Sequence, residues 1–270
     1  MKIGITGHSG TLGRELLEFQ NTFPIQGDVK NWEEMDDSIS SLHPDVIIHL
    51  AAKSGVDFCE LPENEQEVRK VNVHGTFNVV NAGYKIGCPV VLLSTDHIFS
   101  GRWGKYKEFN RPGPVNFYGL SKLAAESLRE AFPNMKIVRT SKLFCNDSSF
   151  ANDMEGLVRG EHQDYPVFMD RSFMWVRHFA ISLMEYARQI DFMPDILHIS
   201  GCQTVSYYTF MKSVASTFDI PLNLVTPRMK ELKEKSPRPH HAGLNVSLSL
   251  ALGIPQFDYV DGLRAMKSLG

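Results

Sequence analysis

Short apolar runs alternate with amphipathic segments through the first half of the chain. Continuous apolar runs such as Val46–Leu50 and Val90–Ser94 are typical of central strands that are covered on both faces. A helical spacing of apolar residues runs through Glu65–Ile86, between those two strands. Strands that alternate with helices predict βαβ units, a parallel sheet and right-handed crossovers. The remaining elements predicted in this half are the strands Lys2–Thr6 and Lys136–Arg139 and the helices Leu12–Phe19 and Tyr118–Ala131.

The pattern becomes less regular after about Leu143. The polar residues Asp147–Ser149 and the Pro-, Lys- and Arg-rich stretch Thr226–His241 predict surface loops. The second half is therefore expected to build a smaller, mostly irregular cap on the sheet. The elements predicted within it are the helices Ala151–Arg159, Ala180–Gln189 and Tyr207–Phe218 and the strand Leu197–Ser200.

Composition and charge exclude several classes of protein. Of the 270 residues, 43% are hydrophobic and 22% charged, which is typical of a globular protein. A formal net charge of −3 provides no basic surface for nucleic acid, and no apolar run reaches the length of a membrane span. Met1–Gly7 enters a predicted strand at once and leaves no room for a signal peptide. Four scattered cysteines suggest neither a disulfide framework nor a metal site, which favours a reducing, cytoplasmic location.

A glycine-rich segment follows the first predicted strand and opens the first predicted helix. Its glycines, Gly7, Gly10 and Gly13, have the spacing G-x-x-G-x-x-G. Glycines at this place permit a tight turn and let backbone N–H groups approach a pyrophosphate at the start of the helix. The spacing differs from the G-x-G-x-x-G of most dinucleotide dehydrogenases, and an ordinary glycine-rich turn is the alternative. The strand-first context favours phosphate binding.

Tyr118 and Lys122 lie one turn apart on the same face of a predicted helix. A tyrosine with a pKa of about 10 is a poor acid–base catalyst at neutral pH, and a nearby ammonium stabilises its phenolate. Chance also supplies such pairs, so the interpretation depends on residues upstream. Thr95 follows the strand Val90–Ser94, at the edge where doubly wound sheets bind ligands. Thr95 and its neighbours could simply cap a turn, but beside the Tyr–Lys pair we interpret Thr95 as a hydrogen-bond donor to a substrate carbonyl.

Several segments together resemble the extended short-chain dehydrogenase/reductases and, within them, the dTDP-4-dehydrorhamnose reductase family. The most specific block is Pro114–Glu126, which contains Tyr118 and Lys122. The other matching segments are Thr6–Gly13, Pro44–Ala52, Val56-Asp57, Val71–Thr76, Ser94–Asp96, Arg139–Ser141 and Arg238-Pro239. The resemblance covers nearly the whole chain and implies an α/β fold: a Rossmann-type doubly wound parallel sheet with a small C-terminal substrate-binding cap. The dinucleotide-binding domain would comprise 1–144 plus roughly 172–200, and the cap 145–171 and 201–270.

The resemblance also implies roles for individual residues. Thr95 matches the catalytic Thr or Ser of the family, Tyr118 the proton donor, and Lys122 the residue that lowers the tyrosine pKa and holds the nicotinamide ribose. Hydride would pass from the nicotinamide of NADP or NAD to the C4 ketone of a nucleotide-linked 4-keto-6-deoxy sugar. Besides Tyr118 and Lys122, the cofactor-binding residues implied by the family are Gly7, Ser9, Gly10, Thr11, Leu12, Gly13, Asp28, Val29, Ala51, Ala52 and Lys53.

The chain departs from the family where the adenosine of the cofactor would bind. Only Gln20–Gly27 separates the first predicted helix from Asp28, so a full second strand hardly fits there. Such a strand would carry the acidic residue that reads the ribose or the arginine that binds a 2′-phosphate. The sequence therefore fits NAD and NADP equally. Arg14 could contact a 2′-phosphate, or it could be a solvated helix residue.

A second set of departures falls where the sugar would bind. His97 stands where relatives carry Tyr, and Lys142 where the reductase carries Trp; Asp170–Trp175 replaces a longer segment, D-Q-x-G-S-P-T. We therefore expect a substrate other than the usual dTDP-linked precursor of rhamnose. The candidate substrate-contacting residues are Asp96, His97, Lys142, Trp175 and Arg238. The alternatives are a tolerant turn position for His97, core packing for Trp175 and a solvated surface for Arg238.

Three functions fit this sequence. The leading hypothesis is an NAD(P)-dependent reductase of a nucleotide-linked 4-keto-6-deoxy sugar. The second is an epimerase or dehydratase with tightly held NAD⁺, in which Asp96 would be the added acid, although relatives that only reduce also carry Asp there. The third is a non-catalytic, cofactor-binding regulatory subunit, because the methionine adenosyltransferase β-subunit, a close branch of the family, looks like this chain. The intact Thr95, Tyr118 and Lys122 favour an enzyme, and a homodimer is a further expectation from the family.

Overall fold

The computed structural model describes residues 1–146, 148–230 and 236–269, with side chains except at 148, 149 and 151–153. The strands are β1 Ile3–Thr6, β2 Thr22–Pro24, β3 Val46–His49, β4 Val90–Thr95, β5 Met135–Thr140, β6 Leu143–Phe144, β7 Gln163–Pro166, β8 Asp170–Arg171, β9 Met174–Trp175, β10 Ile196–His198, β11 Val205–Ser206 and β12 Val225–Arg228. The helices are α1 Thr11–Leu17, α2 Trp32–Leu42, α3 Val56–Cys59, α4 Glu65–Arg69, α5 Thr76–Lys85, α6 Phe117–Glu126, α7 Ser148–Val158, α8 Val176–Arg188, α9 Tyr207–Thr217, α10 Ser247–Ala251 and α11 Tyr259–Leu269. None of the described helices is long and apolar enough to cross a bilayer.

Six parallel strands form the central sheet, in the order β2-β1-β3-β4-β5-β10. Strand β3 shows why its apolar run is continuous: Val46 and Ile48 pack into one hydrophobic core and Ile47 into another. Helices α1 and α8 cover the first core, and α2 and α5 cover the second. A parallel sheet with helices on both faces confirms the predicted α/β, Rossmann-type fold.

The order of strands reverses at β1. Strand β2 pairs with one side of β1, and β3 pairs with the other. In open α/β sheets, ligands bind outside the carboxyl ends of the strands at such a switch point. Thr6 and His49 end β1 and β3 there, and Thr95 ends β4 at the same edge.

A short second strand is present where the sequence left little room for one. It has three residues and pairs with β1 in the register Ile3↔Thr22 to Ile5↔Pro24. Because β3 lies on the other side of β1, β2 is the edge of the sheet. A dinucleotide-binding sheet with the order 3-2-1-4-5-6 has two strands on that side. Among the described residues, this side of the sheet thus has one strand where that order has two. The second strand itself is shortened and not missing.

The helix predicted for Glu65–Ile86 is interrupted. A π-helical segment, Lys70–Gly75, lies between α4 and α5. Such a segment adds a residue to one turn and is frequent at functional sites. It contains the fully buried Asn72, whose amide donates to the Lys53 carbonyl at 3.0 Å and to Ser121 Oγ at 2.9 Å. The segment thereby joins the loop after β3 to α6.

Several predictions for the second half are corrected. Helix α7 begins at Ser148, so the loop predicted for Asp147–Ser149 is too long, and Asp147 lies outside the described residues. Strand β12 pairs in parallel with β7, so Thr226–His241 begins in a strand, while 231–235 lie outside the described residues. Helix α11 was not predicted from the sequence; its Leu263 packs into the same core as α8 and α9. The cap thus contains regular elements, and the proposed domain boundaries stay a prediction.

Candidate active site

A cleft of about 1080 Å³ opens at the carboxyl edge of the sheet, beside the switch point. The sequence candidates that line it are Gly7, Ser9, Gly10, Thr11, Leu12, Gly13, Asp28, Val29, Ala51, Ala52, Lys53, Thr95, Asp96, His97, Tyr118, Lys122, Lys142 and Arg238. Only Trp175 among the candidates is absent from this lining. The lining also includes residues that the sequence analysis did not select, among them Lys30, Ser141, Arg171 and Tyr207. No group of three or more His, Cys, Asp and Glu side chains in the described part of the chain could hold a metal ion.

The glycine-rich loop forms one end of the cleft. The backbone folds so tightly that a Cβ on Gly13 would lie 2.5 Å from both the Gly7 carbonyl oxygen and His8 Cα. Gly10 directly precedes α1 and has an extended conformation, and no side chain caps the first turn of the helix. The loop therefore presents backbone to the cleft at the start of a helix, as a cradle for a pyrophosphate requires. These residues fit a dinucleotide cofactor.

The side chains beyond the glycine loop carry balanced charge. The Lys30 ammonium lies 3.0 Å from Glu67 Oε1 and 3.5 Å from Asp28 Oδ2, and Lys53 lies 4.0 Å from the same Glu67 oxygen. Arg14 is exposed, and its guanidinium donates to the Ser9 carbonyl. This end of the cleft offers both carboxylates and ammonium groups to an adenosine ribose.

Thr95 and Tyr118 meet at the centre of the cleft. Tyr118 is the second residue of α6, which Asn116 caps by accepting a hydrogen bond from the Gly119 N–H at 2.8 Å. A Cβ on Gly119 would lie 2.2 Å from the His97 carbonyl oxygen, so the close approach of α6 to the turn after β4 requires glycine there. The approach places Tyr118 in the same cleft as Thr95, which lowers the pKa of Tyr118.

Lys122 lies one turn beyond Tyr118 and is almost completely buried. Glu126, a further turn along α6, is held by Arg139, which donates to its two carboxylate oxygens at 3.0 and 2.7 Å. Ser94 also donates to Glu126. The Glu126 charge is thus largely satisfied by Arg139, and the Lys122 ammonium forms no ion pair among the described residues.

The pKa of Tyr118 differs from the sequence expectation. Burial raises it, the hydrogen bond to Thr95 opposes the rise, and the negative charge of Asp96 adds to it. Burial also lowers the pKa of Lys122 to about 8, against a smaller raising effect of Glu126. Lys122 is not among the groups that shift the pKa of Tyr118 in the protein alone, so the role expected of Lys122 stays a prediction.

Four of the five substrate candidates line the cleft, and they differ in the partners of their side chains. The His97 Nδ1 accepts a hydrogen bond from the Asn116 side-chain amide at 3.0 Å, and burial lowers the pKa of His97 to about 4, so it is neutral at neutral pH. Arg238 lies 2.8 Å from Asp57 Oδ2, an ion pair that lowers the pKa of Asp57 to about 2. Lys142 is exposed and has no carboxylate within ion-pair distance in the described part of the chain. Its ammonium is therefore free to bind an anionic group in the cleft.

Trp175 lies in the core, away from the cleft. Its ring packs edge-on against His178, with 4.9 Å between the ring centroids, and belongs to the hydrophobic core around α8. The residue of this segment that does line the cleft is Arg171, which was not among the candidates. Both residues lie in two-residue strands, which are too short for a periodicity that would show which side chain faces inward. The feature of the sequence that could have pointed to Arg171 is an arginine close to a run of hydrophobic residues.

Nearly the whole chain matches a protein family. The matching model is described as the RmlD substrate binding domain and extends over residues 1–268. A dTDP-4-dehydrorhamnose reductase of Sinorhizobium fredii is 28% identical over 81% of this chain and 79% of the relative. The methionine adenosyltransferase 2 subunit beta of Danio rerio is 26% identical over 94% of this chain and 85% of the relative.

A solved structure has closely similar architecture. It is the dTDP-4-dehydrorhamnose reductase of Bacillus anthracis in complex with NADP, with a TM-score of 0.91, 25% identity and coverage of 100% of both chains. The similarity extends through the second half of the chain, where the sequence pattern alone was least regular.

Proposed function

The chain belongs to the RmlD substrate binding domain family, and on that premise we propose that it is an NAD(P)-dependent reductase of a nucleotide-linked 4-keto-6-deoxy sugar. The observation that carries the proposal is that Thr95, Tyr118 and Lys122 line one cleft with the glycine-rich loop. The names of the reductase from S. fredii and of the NADP complex from B. anthracis support this reaction class.

The site contains the groups that reduction of a ketone requires. A nicotinamide cofactor, NADPH or NADH, held in this cleft would supply the hydride that reduces C4 of the sugar. Tyr118 gives its proton to the ketone oxygen, so that C=O becomes CH–OH. Burial raises the pKa of Tyr118, which keeps the phenol protonated in the neutral range, as a proton donor must be. The Thr95 hydroxyl donates its one proton to Asp96 in the free protein and would turn it to the same ketone oxygen when the substrate binds, and Lys122 stabilises the phenolate that remains.

The direct test is reduction of a panel of nucleotide-linked 4-keto-6-deoxy sugars. Purified protein is expected to consume NADPH or NADH only when a keto sugar is present, with a product heavier by two hydrogen atoms in mass spectrometry. A thermal-shift measurement with each cofactor accompanies the assay, because a ligand at 100 times its dissociation constant adds about 2.7 kcal/mol of stability. Cofactor binding without consumption for every sugar in the panel would contradict the proposal.

An epimerase or dehydratase would use the same cleft differently. Such an enzyme regenerates its cofactor in each turnover, so NAD⁺ would copurify and no net NAD(P)H would be consumed. Conversion of a nucleotide sugar under those conditions would replace the reductase assignment.

A regulatory subunit is the second candidate function, and the similarity to the methionine adenosyltransferase 2 subunit beta favours it. A subunit of that kind would bind a protein partner stoichiometrically and reduce no keto sugar. Affinity purification of the full chain from its own cells, followed by quantitative mass spectrometry, separates the two functions. The complete set of Thr95, Tyr118 and Lys122 in the cleft supports the reductase.

The rate of reduction should fall as the pH rises through about 8. The pKa of Lys122 is lowered to about 8, so its ammonium is present below that pH and lost above it. The proton of Tyr118 is retained over this range because its pKa is raised. We therefore expect kcat to be level below pH 8 and to decline above it. In Lys122→Arg the charge persists, so an unchanged decline in that variant would show that another group titrates.

Lys142 is expected to bind the anionic part of the substrate. Arg171 and Arg238 are paired with Asp96 and Asp57, whereas Lys142 has no carboxylate partner among the residues that the structure describes. Lys142→Met should raise KM for the nucleotide sugar about tenfold, a loss of about 1.4 kcal/mol, and leave kcat and the Kd of NADPH near their original values. Added salt should weaken binding by the wild type more than by the variant. Equal KM values would exclude this role.

A further inference from the structure

Asp96 and Arg171 form a buried ion pair at the substrate end of the cleft. The Arg171 Nε lies 3.5 Å from Asp96 Oδ2, and the two side chains are only 2% and 3% exposed. Both residues line the cleft. Asp96 follows the central strand β4 and Arg171 ends the short strand β8, so the pair links the sheet to the second half of the chain.

The oxygens of the Asp96 carboxylate are both engaged. Oδ2 accepts a hydrogen bond from Ser141 Oγ at 2.6 Å, and Oδ1 accepts one from Thr95 Oγ at 3.2 Å. The Arg171 Nη1 donates to the carbonyl of the preceding residue at 2.8 Å and to the His240 carbonyl at 3.1 Å. These contacts fix the guanidinium, the carboxylate and the Thr95 hydroxyl relative to one another.

The position of this pair indicates a role in the site. A buried ion pair is weak evidence for stability, because desolvation of two charges offsets most of their attraction, and apolar side chains often fill the same space as well. Here the carboxylate is in direct contact with the Thr95 hydroxyl, which itself interacts with Tyr118. The charge that Arg171 compensates is therefore next to the candidate proton donor.

We propose that Arg171 is a positioning residue for the reduction. It holds the Asp96 side chain in place, and Asp96 holds the Thr95 side chain beside the Tyr118 hydroxyl, where the ketone oxygen binds. The inference rests on the proposed function and deepens it. The pair thereby assigns Asp96 to the orientation of Thr95.

The test compares kcat, KM and the Kd of NADPH among variants of the pair. Arg171→Met leaves the carboxylate unpaired, and we expect kcat to fall about a hundredfold with little change in the Kd of NADPH. Arg171→Lys restores the positive charge and should recover a large part of that loss. The double variant Asp96→Asn with Arg171→Gln removes both charges and should be more active than either of its single variants, because the two substitutions compensate.

Arg129→Met is the matched control. It removes an arginine that pairs with Asp195 outside the cleft, and its kcat should equal that of the wild type. Equal kcat for Arg171→Met and the control, or no recovery in Arg171→Lys, would overturn the proposal. If Arg171→Met fails to fold, the kcat values of Arg171→Lys and of the double variant test the proposal in its place.

If the proposed function is wrong, the activity measurements give a different result. A wild type that reduces no keto sugar contradicts the reductase assignment, and the pair is then judged by crystal structures of the wild type and Arg171→Lys and of the double variant. The proposal requires the Thr95 side chain to keep its place in the first two and to shift in the double variant. An identical Thr95 conformation in all three would overturn it.

Discussion

Replacement of Tyr118 by phenylalanine is expected to lower kcat by about two to four orders of magnitude, the usual contribution of a positioned general acid. The ring of Tyr118 stays in place while the hydroxyl beside Thr95 is lost, so the ketone oxygen would receive no proton as the hydride arrives. Steady-state kinetics with the best sugar of the panel measure the effect. The Kd of NADPH, determined separately by fluorescence, should change little because the backbone cradle is untouched.

Tyr186→Phe is a matched control for the loss of a buried phenol. Tyr186 is fully buried, its pKa is also raised by burial, and its hydroxyl lies 3.4 Å from the Pro194 carbonyl, outside the cleft. Its substitution should leave kcat unchanged. Equal rates for Tyr118→Phe and the wild type across the panel would remove Tyr118 from the mechanism and with it the main support for the reductase.

Gly13→Ala is expected to abolish cofactor binding. The added Cβ would lie 2.5 Å from the Gly7 carbonyl oxygen and from His8 Cα. Both are backbone atoms, so no side-chain rotation relieves the overlap and the cradle itself must move. We expect the Kd of NADPH to rise at least about a hundredfold, equivalent to about 2.7 kcal/mol. Isothermal calorimetry measures the Kd, and the thermal shift with NADPH should disappear.

Gly113→Ala is the control for the glycine substitution. A Cβ there would lie 3.6 Å from Ser100 Cβ, an ordinary van der Waals contact, and Gly113 does not line the cleft. Its cofactor affinity and thermal stability should match those of the wild type. A Gly13→Ala protein that binds NADPH normally would show that the loop does not hold the pyrophosphate.

The parts of the site that depend on local spacing could be predicted from the sequence. Tyr118 and Lys122 share a helix face because a helix repeats every 3.6 residues, and the structure places both on α6 and both in the cleft. The glycine-rich loop could be located because it follows a strand and opens a helix. Continuous apolar runs predicted the central strands, since only a sheet covered on both faces buries every side chain of a strand.

The parts that depend on contacts between distant segments could not be predicted. Trp175 was selected and Arg171 was not, because their two-residue strands carry no pattern that shows which side chain enters the cleft. The π-helical segment around Asn72 was missed since one added residue leaves the apolar spacing of the helix nearly unchanged. The second strand, three residues long, fell below the length at which alternation can be seen.

The sequence by itself determined the sheet, the glycine-rich loop and the Tyr–Lys pair, because each is encoded within one strand or one helical turn. The tertiary structure decided the electrostatics of the site. It raises the pKa of Tyr118 and lowers that of Lys122 through burial, and it pairs Asp96 with Arg171 and Asp57 with Arg238. Burial and ion pairing are properties of the packed chain, since they depend on which distant segments exclude water from a side chain and which charges they bring beside it.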